Sequence, residues 1–194
     1  PEGGIFKPGM LVPIDALPAV PTQWVRGWDL ASTTGGDWTA GPKLGKMADG
    51  RFVIADMERV RAGPDERDRL LVNTAKRDGK LCRISLPQDP GQAGKTQVLY
   101  LVKQLAGYTA TATPESGDKV TRAEPLSAQA EAGNVDFLAT GDPAKDAWIE
   151  VFMDEICVFP GSQYKDQTDA ATRAFDALAS MKSGPAATRI RGFR

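Results

Sequence analysis

The sequence predicts a mixed α/β fold, in which helices cover a β-sheet. Two features predict it: three strand patterns follow one another with no helix between them, and the later strands alternate with helical segments. With 194 residues, of which 41% are hydrophobic and 25% are charged, the chain is long enough to bury one large core. We therefore expect one folded domain, at residues 24–181.

The first three strands are expected at residues 24–31, 38–46 and 51–59. Short turns join them, and three sequential strands joined this way form an antiparallel meander. Because side chains alternate between the two faces of a strand, every second residue of the first strand shares one face. These residues are Val25, Gly27, Asp29 and Ala31.

Longer segments with helical spacing follow the meander. Pro64 is a typical first residue of a helix, and Gly79 is a typical residue just after one. Helices are expected at residues 64–77, 95–106, 119–131, 144–157 and 166–181, with strands at 81–86 and 108–113 and a short extended piece at 134–138.

The two ends of the chain differ from its centre. Residues 1–23 contain five prolines, which resist helix and sheet, so we expect a linker or docking arm there. Residues 182–194 contain basic residues and no acid, and are expected to form a basic tail. The first Met is at position 10, so we expect the chain to be a piece of a longer protein.

Composition excludes several kinds of site. The net charge is −1, so any surface for a polyanion must be a local patch. The chain has no His, which leaves carboxylates as the main candidates for metal binding or acid–base chemistry. Its two cysteines are too few for a disulfide framework, which favours a reducing, intracellular setting. No apolar run is long enough for a membrane span, so no membrane partner is expected.

Asp29 is the first candidate site residue. It lies in the middle of a predicted strand, where an ionised carboxylate needs a cation, a hydrogen-bond network or water. The alternative is an ion pair with a neighbouring Arg. Asp89 follows a later strand, at the end where sites of α/β folds tend to lie, although an Asp before Pro90 is also typical of a plain turn.

Asp166 and Asp169 open the last predicted helix and share one of its faces. The simpler alternatives are that Asp166 caps this helix and that Asp169 pairs with Arg173. Asp37 lies in a turn and is a possible extra ligand. Hard divalent cations such as Mg²⁺ and Mn²⁺ bind several oxygen ligands, and two such ions can hydrolyse a phosphodiester without any His.

A second interpretation concerns residues 89–96, whose end, Gly94-Lys95-Thr96, matches the tail of a phosphate-binding P-loop. Asp89 occupies the position of the first glycine of that motif and would repel a nucleotide, so a glycine-rich turn before a helix is favoured. Phosphate contacts are instead expected from basic residues near loops and helix starts, with plain solvated surface as the alternative for each. The candidates are Lys95, Lys119, Arg122, Lys145 and Lys165.

With these residues in view, the chain resembles the C-terminal nuclease domain of the large terminase subunit of tailed bacteriophages and prophages, which has a ribonuclease H-like fold. The resemblance spans about residues 24–181. The segments that carry it are RGWDLA at 26–31, GDWTA at 36–40, QDPGQAGK at 88–95, GDK at 117–119 with RA at 122–123, FP at 159–160, and DQTDA at 166–170.

The resemblance implies a metal-dependent endonuclease that cuts concatemeric double-stranded phage DNA during genome packaging. It implies metal-binding and catalytic roles for Asp29, Asp89 and Asp166. Together with the residue-based reasoning above, this predicts a site with two Mg²⁺ or Mn²⁺ ions, for which Asp169 and Asp37 are candidate further ligands. It also implies the terminase ATPase half, the portal and the small terminase subunit as partners, in the cytoplasm of the host bacterium. The family often has an acidic pair where this chain has Lys165-Asp166, and the ATPase half is absent.

Two alternatives remain open on the sequence alone. One is a related resolvase or recombinase nuclease, which would prefer branched DNA. The other is a non-catalytic docking module that holds the portal or the motor through the proline-rich arm and the basic tail.

Overall fold

The computed structural model describes residues 4–31 and 35–181. The helices and strands follow the predicted order, with one strand added at the start and one predicted helix divided in two. The strands are β1 Val12–Ile14, β2 Gln23–Gly27, β3 Thr39–Lys46, β4 Phe52–Val60, β5 Cys82–Gln88, β6 Ala110–Pro114 and β7 Val135–Leu138. The helices are α1 Pro64–Asp78, α2 Gly91–Gln104, α3 Lys119–Glu131, α4 Pro143–Asp146, α5 Trp148–Ile156 and α6 Asp166–Ser180.

All seven strands form one mixed sheet in the order β1-β7-β4-β3-β2-β5-β6. The β2, β3 and β4 strands pair antiparallel, which confirms the predicted meander. The β5 strand joins β2 in parallel, β6 joins β5 in parallel, and β7 joins β4 in parallel. The predicted α/β fold is therefore confirmed, and one hydrophobic core lies on each face of the sheet.

The first strand differs from the sequence-based expectation. Residues 1–23 were expected to be an arm outside the fold, but β1 lies among them and pairs in parallel with β7. Phe6 and Leu11 are buried in the larger core cluster, with 1% and 4% of their surface exposed. Prolines are tolerated here because a short edge strand needs few backbone donors. The predicted basic tail, at residues 182–194, lies outside the described residues.

The long helix α6 lies directly on β2 because Gly27 has no side chain. A Cβ atom on Gly27 would lie 2.6 Å from the carbonyl oxygen of Ala170 and 2.7 Å from the backbone nitrogen of Ala174. Glycine at this position thus allows close helix–strand contact. The first turn of α6 is thereby brought beside the residues that follow β2.

The opposite face of β2 carries a buried cation. Arg26 has 1% of its surface exposed, and its guanidinium donates to both carboxylate oxygens of Asp78, at 2.8 and 2.9 Å. It also donates to Asp56 at 2.8 Å and to the Gly41 carbonyl at 2.7 Å. A buried guanidinium is tolerated only when it is paired and fully hydrogen-bonded. Arg26 therefore fixes the end of α1 against the meander.

The position of α2 contradicts the P-loop interpretation. This helix begins at Gly91, so Gly94, Lys95 and Thr96 lie within it and not in a loop around an anion. A Cβ atom on Gly94 would lie 2.2 Å from the carbonyl oxygen of Asp89, which explains the glycine by close packing. Within residues 4–31 and 35–181, none of the helices is long and apolar enough to cross a membrane.

Candidate functional site

Acidic residues from separate parts of the sequence meet where β2 ends and α6 begins. Asp29 follows β2 and forms an isolated bridge with Ala40 of β3, through backbone hydrogen bonds of 2.9 and 3.0 Å. Asp166 is the first residue of α6. Both line a cavity of about 230 Å³, together with Asp37, Lys119, Tyr164 and Lys165. The structure thus brings together five of the ten predicted site residues.

Asp29 is the most strongly perturbed carboxyl of this cavity. Burial, together with the negative charges of Asp169, Asp166 and Glu115, raises its pKa to about 8, and Lys119 only partly opposes this rise. Among the described residues, Asp29 has no ion pair, so the alternative of an Asp paired with a neighbouring Arg is not observed. An acid in this position favours a cation that neutralises it.

Among the described residues, Asp166 also forms no ion pair. Its side chain is buried, and its Oδ2 atom has no hydrogen-bond partner among the described residues. Burial raises the pKa of Asp166, the backbone N–H of Trp38 opposes this by donating to the carboxylate, and Glu155 and Asp37 raise it again. A buried acceptor with no donor is rare in folded proteins and indicates that a ligand is expected there.

Asp166 does not cap α6, although the sequence alone allowed that role. The position before the helix is Lys165, whose side chain makes no capping hydrogen bond. Glu155 of α5 performs this role: its Oε1 atom accepts the backbone N–H of Thr168 at 2.8 Å, and its Oε2 atom accepts from Gln167 at 2.9 Å. A carboxylate at a helix N-terminus satisfies free N–H groups and interacts favourably with the helix dipole.

Asp169 lies one turn further along α6 and is paired. Its carboxylate contacts the Lys119 ammonium, and its second oxygen lies 3.9 Å from the Arg122 guanidinium. Burial nevertheless raises the pKa of Asp169, since these cations only partly offset the loss of solvent. The predicted alternative, a pair between Asp169 and Arg173, is not formed, because Arg173 binds Glu115.

Glu115 belongs to this region and was missed by sequence reasoning. It follows β6 and accepts hydrogen bonds from Arg122 at 2.6 Å and from Arg173. Burial works to raise the pKa of Glu115, but hydrogen bonds from Arg173 and Arg122 outweigh it and lower the pKa. Its position directly after a parallel strand beside β5 was the available signal, because the carboxyl ends of parallel strands meet at one edge.

Asp89 and Lys95 lie apart from the cavity. Asp89 is exposed after the end of β5, and Lys95 is exposed in α2. Since β5 is parallel to β2, with Ser85 opposite Gly27, Asp89 follows the same edge of the sheet as Asp29. Lys165 donates to the carbonyl of Ser162 at 2.8 Å, and Lys145 pairs with Asp142 at 3.5 Å on the surface.

The donor set suits a hard divalent cation that keeps part of its hydration. Asp29, Asp37 and Asp166 offer carboxylate oxygens, and the cavity around them is small and polar. No three acidic or Cys side chains among residues 4–31 and 35–181 are already close enough to hold one ion. Binding would therefore draw on one or two carboxylates together with water and substrate oxygens, the usual pattern for Mg²⁺.

A second, larger cavity adjoins the acidic one on the β5–β6 side. It measures about 750 Å³, and its wall includes Arg122, Arg173, Asp169, Glu115 and Thr113. Arg122 and Arg173 of this wall are engaged with its acids, and Arg173 also donates to the Leu86 carbonyl at 3.0 Å and to Thr113 at 2.9 Å. Arg83 lines the same cavity and forms no ion pair among the described residues. The wall is therefore neutralised around Glu115 and Asp169.

Solved structures that share this fold include viral terminase nucleases. The large terminase nuclease of thermophilic phage G20c with bound magnesium has a TM-score of 0.63 at 15% identity, covering 91% of this chain and 98% of that one. The human cytomegalovirus terminase nuclease domain, Mn-soaked and inhibitor-bound, has a TM-score of 0.56 at 13% identity, covering 81% and 83%.

The large terminase of a second thermophilic bacteriophage gives a TM-score of 0.64 at 10% identity; the match covers 90% of this chain and 45% of that protein. At these identities the likeness shows the fold alone. No curated protein matches the chain. The sequence profile of the terminase RNaseH-like domain matches residues 26–180, from the middle of β2 to the end of α6. The chain therefore belongs to the terminase RNaseH-like domain family.

Proposed function

We propose that the chain is a divalent-metal-dependent endonuclease that hydrolyses phosphodiester bonds of double-stranded DNA. The observation that carries the proposal is the pair formed by the half-buried Asp29 and the buried Asp166, two carboxylates that line one cavity and form no ion pair among the described residues. Family membership and the metal-bound state of the similar G20c nuclease support the same conclusion.

Asp29 and Asp166 would hold the divalent ion, and Asp37 lines the same cavity. When bound, such an ion supplies Lewis acidity and lowers the pKa of a water molecule, which makes hydrolysis possible without His. The fixed backbone of Asp29, bridged to Ala40, orients one ligand. The first turn of α6, held by Glu155, orients the other.

Lys119 and Lys165 border the same cavity and place positive charge where a phosphate would enter. Lys119 already contacts Asp169, so it positions that acid in the absence of substrate. Asp89 remains a candidate for the third carboxylate, and the expected use of two Mg²⁺ or Mn²⁺ ions depends on it. Lys165 stands where the family often has an acid, so further negative charge would come from Asp37, which lines the cavity, or from Asp89 at the same edge of the sheet.

The biological setting belongs to the same proposal. Family membership favours a role in cutting concatemeric phage DNA during packaging, with a terminase ATPase half as the motor. The likeness to the second phage large terminase, of which this chain spans 45%, supports that larger context. Contacts with the portal and the small terminase subunit, and action in the cytoplasm of the host bacterium, are further parts of the proposal.

The test is incubation of the purified chain with supercoiled plasmid and Mg²⁺ or Mn²⁺. We expect nicking and linearisation that EDTA abolishes and that Asp29→Asn and Asp166→Asn each abolish. Asp15→Asn is the matched control, because Asp15 is an exposed Asp just after β1, and it should cut at the wild-type rate. Asp89→Asn tests the third carboxylate, and its loss of activity would support a two-ion site.

Different outcomes separate the alternatives. Preferential cutting of branched over linear duplex would favour a resolvase-type nuclease. A folded Asp29→Asn variant that cuts at the wild-type rate would falsify the assignment of the site. Absence of cutting by the folded wild-type chain with either ion would favour the docking module or a requirement for the ATPase half.

A further inference from the structure

Two arginines at the end of β4 lie over one indole ring. The guanidinium carbon of Arg59 lies 3.8 Å from the ring centroid of Trp38, and that of Arg61 lies 4.5 Å from it. Tyr164 closes the group, with its ring edge-on to Trp38 at 6.5 Å between centroids. We call Trp38, Arg59, Arg61 and Tyr164 the arginine–aromatic cluster.

The charge of this cluster is not neutralised locally. Among the described residues, neither Arg59 nor Arg61 forms an ion pair, and the buried Nε atom of Arg59 has no hydrogen-bond partner. Burial lowers the pKa of Arg59, and the neighbouring charge of Arg61 lowers it too, while Glu155 and Asp166 act from a distance to raise it. Two like charges over one ring repel each other, so cation–π attraction alone does not explain why both arginines lie over Trp38.

Three other basic residues near the acidic cavity already form ion pairs with acids of the protein. Lys119 contacts Asp169, and Arg122 and Arg173 both donate to Glu115. Among the described residues, these three cations are therefore already neutralised, whereas Arg59 and Arg61 on the Trp38 side of the cavity are not; Arg83, which lines the larger cavity, also forms no ion pair.

The arginine–aromatic cluster adjoins the acidic cavity directly. Tyr164 lines that cavity, and the backbone N–H of Trp38 donates to Asp166. The aromatic rings hold the guanidinium planes in fixed positions, which reduces the conformational entropy lost when an arginine binds a phosphate. A fixed guanidinium can donate two parallel hydrogen bonds to a phosphate group.

From this we propose that Arg59 and Arg61 bind backbone phosphates of the DNA strand that enters the acidic cavity, and that the strand runs over the Trp38 side of the site. This inference rests on the proposed nuclease function and deepens it. Of the predicted phosphate contacts, Lys119 and Arg122 are already paired within the protein, so Arg59 and Arg61 take precedence over them.

The test is the salt dependence of duplex binding, measured in EDTA by fluorescence anisotropy so that no cleavage occurs. Each phosphate contact contributes a slope of about −0.9 to the plot of log affinity against log salt concentration. We expect Arg61→Gln to reduce the steepness by about 1 and to weaken binding by about 3- to 10-fold. Arg61 is exposed, so this variant should fold normally.

Three companion variants complete the experiment. Arg61→Lys should keep most of the slope, since it keeps the charge, and Arg59→Gln with Arg61→Gln should reduce the steepness by about 2. Arg69→Gln is the matched control, because Arg69 is exposed on α1, a helix of the opposite layer, and it should bind like wild type. Unchanged melting temperatures would exclude unfolding as the cause of any loss.

A slope for Arg61→Gln and for the double variant equal to that of wild type overturns the proposal, as does a wild-type chain that binds no duplex at low salt. Plasmid cleavage with Asp29→Asn as control is a separate readout. Persistence of metal-dependent cutting with an unchanged salt slope would reject the phosphate contacts and leave the nuclease function standing.

Discussion

Glu155 and Thr168 join two helices at the acidic site: one carboxylate oxygen of Glu155 accepts the backbone N–H of Thr168 at 2.8 Å and its hydroxyl at 3.1 Å. Glu155 thereby caps α6 from a neighbouring helix. Because Glu155 supplies the cap, Asp166, which begins the same helix, keeps an oxygen that has no partner among the described residues.

Removing this cap should destabilise the protein and the site together. We expect Glu155→Gln to lower the free energy of unfolding by about 1–2 kcal/mol, because a charged acceptor of helix N–H groups is lost. Thermal denaturation followed by circular dichroism measures this, at about 2–4 °C for each kcal/mol in a chain of this size. Glu150→Gln, at an exposed position on the same helix, is the control, and equal melting temperatures for the two variants would contradict the capping role.

Gly27 should tolerate no side chain. A methyl group there would meet the Ala170 carbonyl at 2.6 Å, so Gly27→Ala must push α6 away from β2. We expect a loss of about 1–3 kcal/mol in the free energy of unfolding and weaker metal-dependent cutting. Denaturant unfolding and plasmid cleavage measure the two effects. Gly35→Ala is a suitable control, since its Cβ would meet nothing within 4 Å.

Asp29 should reduce the stability of the metal-free protein. Its carboxyl group is largely desolvated and lies beside other acids, so Asp29→Asn should raise the melting temperature in EDTA at neutral pH, by about 2–4 °C for each kcal/mol of relieved desolvation and repulsion. Mg²⁺ should raise the melting temperature of wild type and should have little effect on the variant, because a ligand stabilises the state that binds it. A wild-type melting temperature that Mg²⁺ leaves unchanged would count against the metal site.

Asp78 should make the free energy of unfolding depend on pH. Burial works to raise its pKa, but hydrogen bonds and charge from Arg26 and Lys43 outweigh it and hold the pKa below its usual value of 3.8. The stabilisation by Asp78 is therefore complete above about pH 4 and is lost as the pH falls through the lowered pKa of the folded state. Urea unfolding at several pH values measures it.

The matching substitution, Asp78→Asn, should lower the free energy of unfolding by about 3 kcal/mol at neutral pH, since Arg26 loses its main partner. The difference from wild type should shrink as the pH is lowered below 4. Asp65→Asn, at an exposed position of the same helix, should show no such pH-dependent difference. A constant difference at every pH would show that the carboxylate charge is unimportant.

Much of the fold was predictable because its patterns are local. Prolines, glycines and apolar spacing locate the helices, and short turns identify the meander. Asp29 stood out because a charge in the middle of an apolar strand needs an explanation. Asp166 and Asp169 stood out because they lie three positions apart and so share one face of a helix. The structure places Asp29 and Asp166 in the same cavity, whereas the metal-binding roles stay predictions.

The remaining features depend on contacts between residues that are distant in sequence. Trp38 and Arg59 meet because β3 and β4 pair, and Glu155 reaches Thr168 because α5 packs on α6. Nothing near Glu155 in the sequence indicates a cap for another helix. The β1 strand was not predicted because it is three residues long and contains Pro13, so its own strand propensity is weak. It is a strand because it pairs with β7.

The pairing of β1 with β7 has a practical consequence for producing this protein. An uncovered strand edge is a template for strand addition by a second molecule, and β1 covers that edge of β7. The residues matched by the family profile begin at position 26, but a gene trimmed to that boundary would encode a protein without this cover and without Phe6 and Leu11. Such a truncated protein would aggregate through β7, so expression should retain the chain from residue 4 onward.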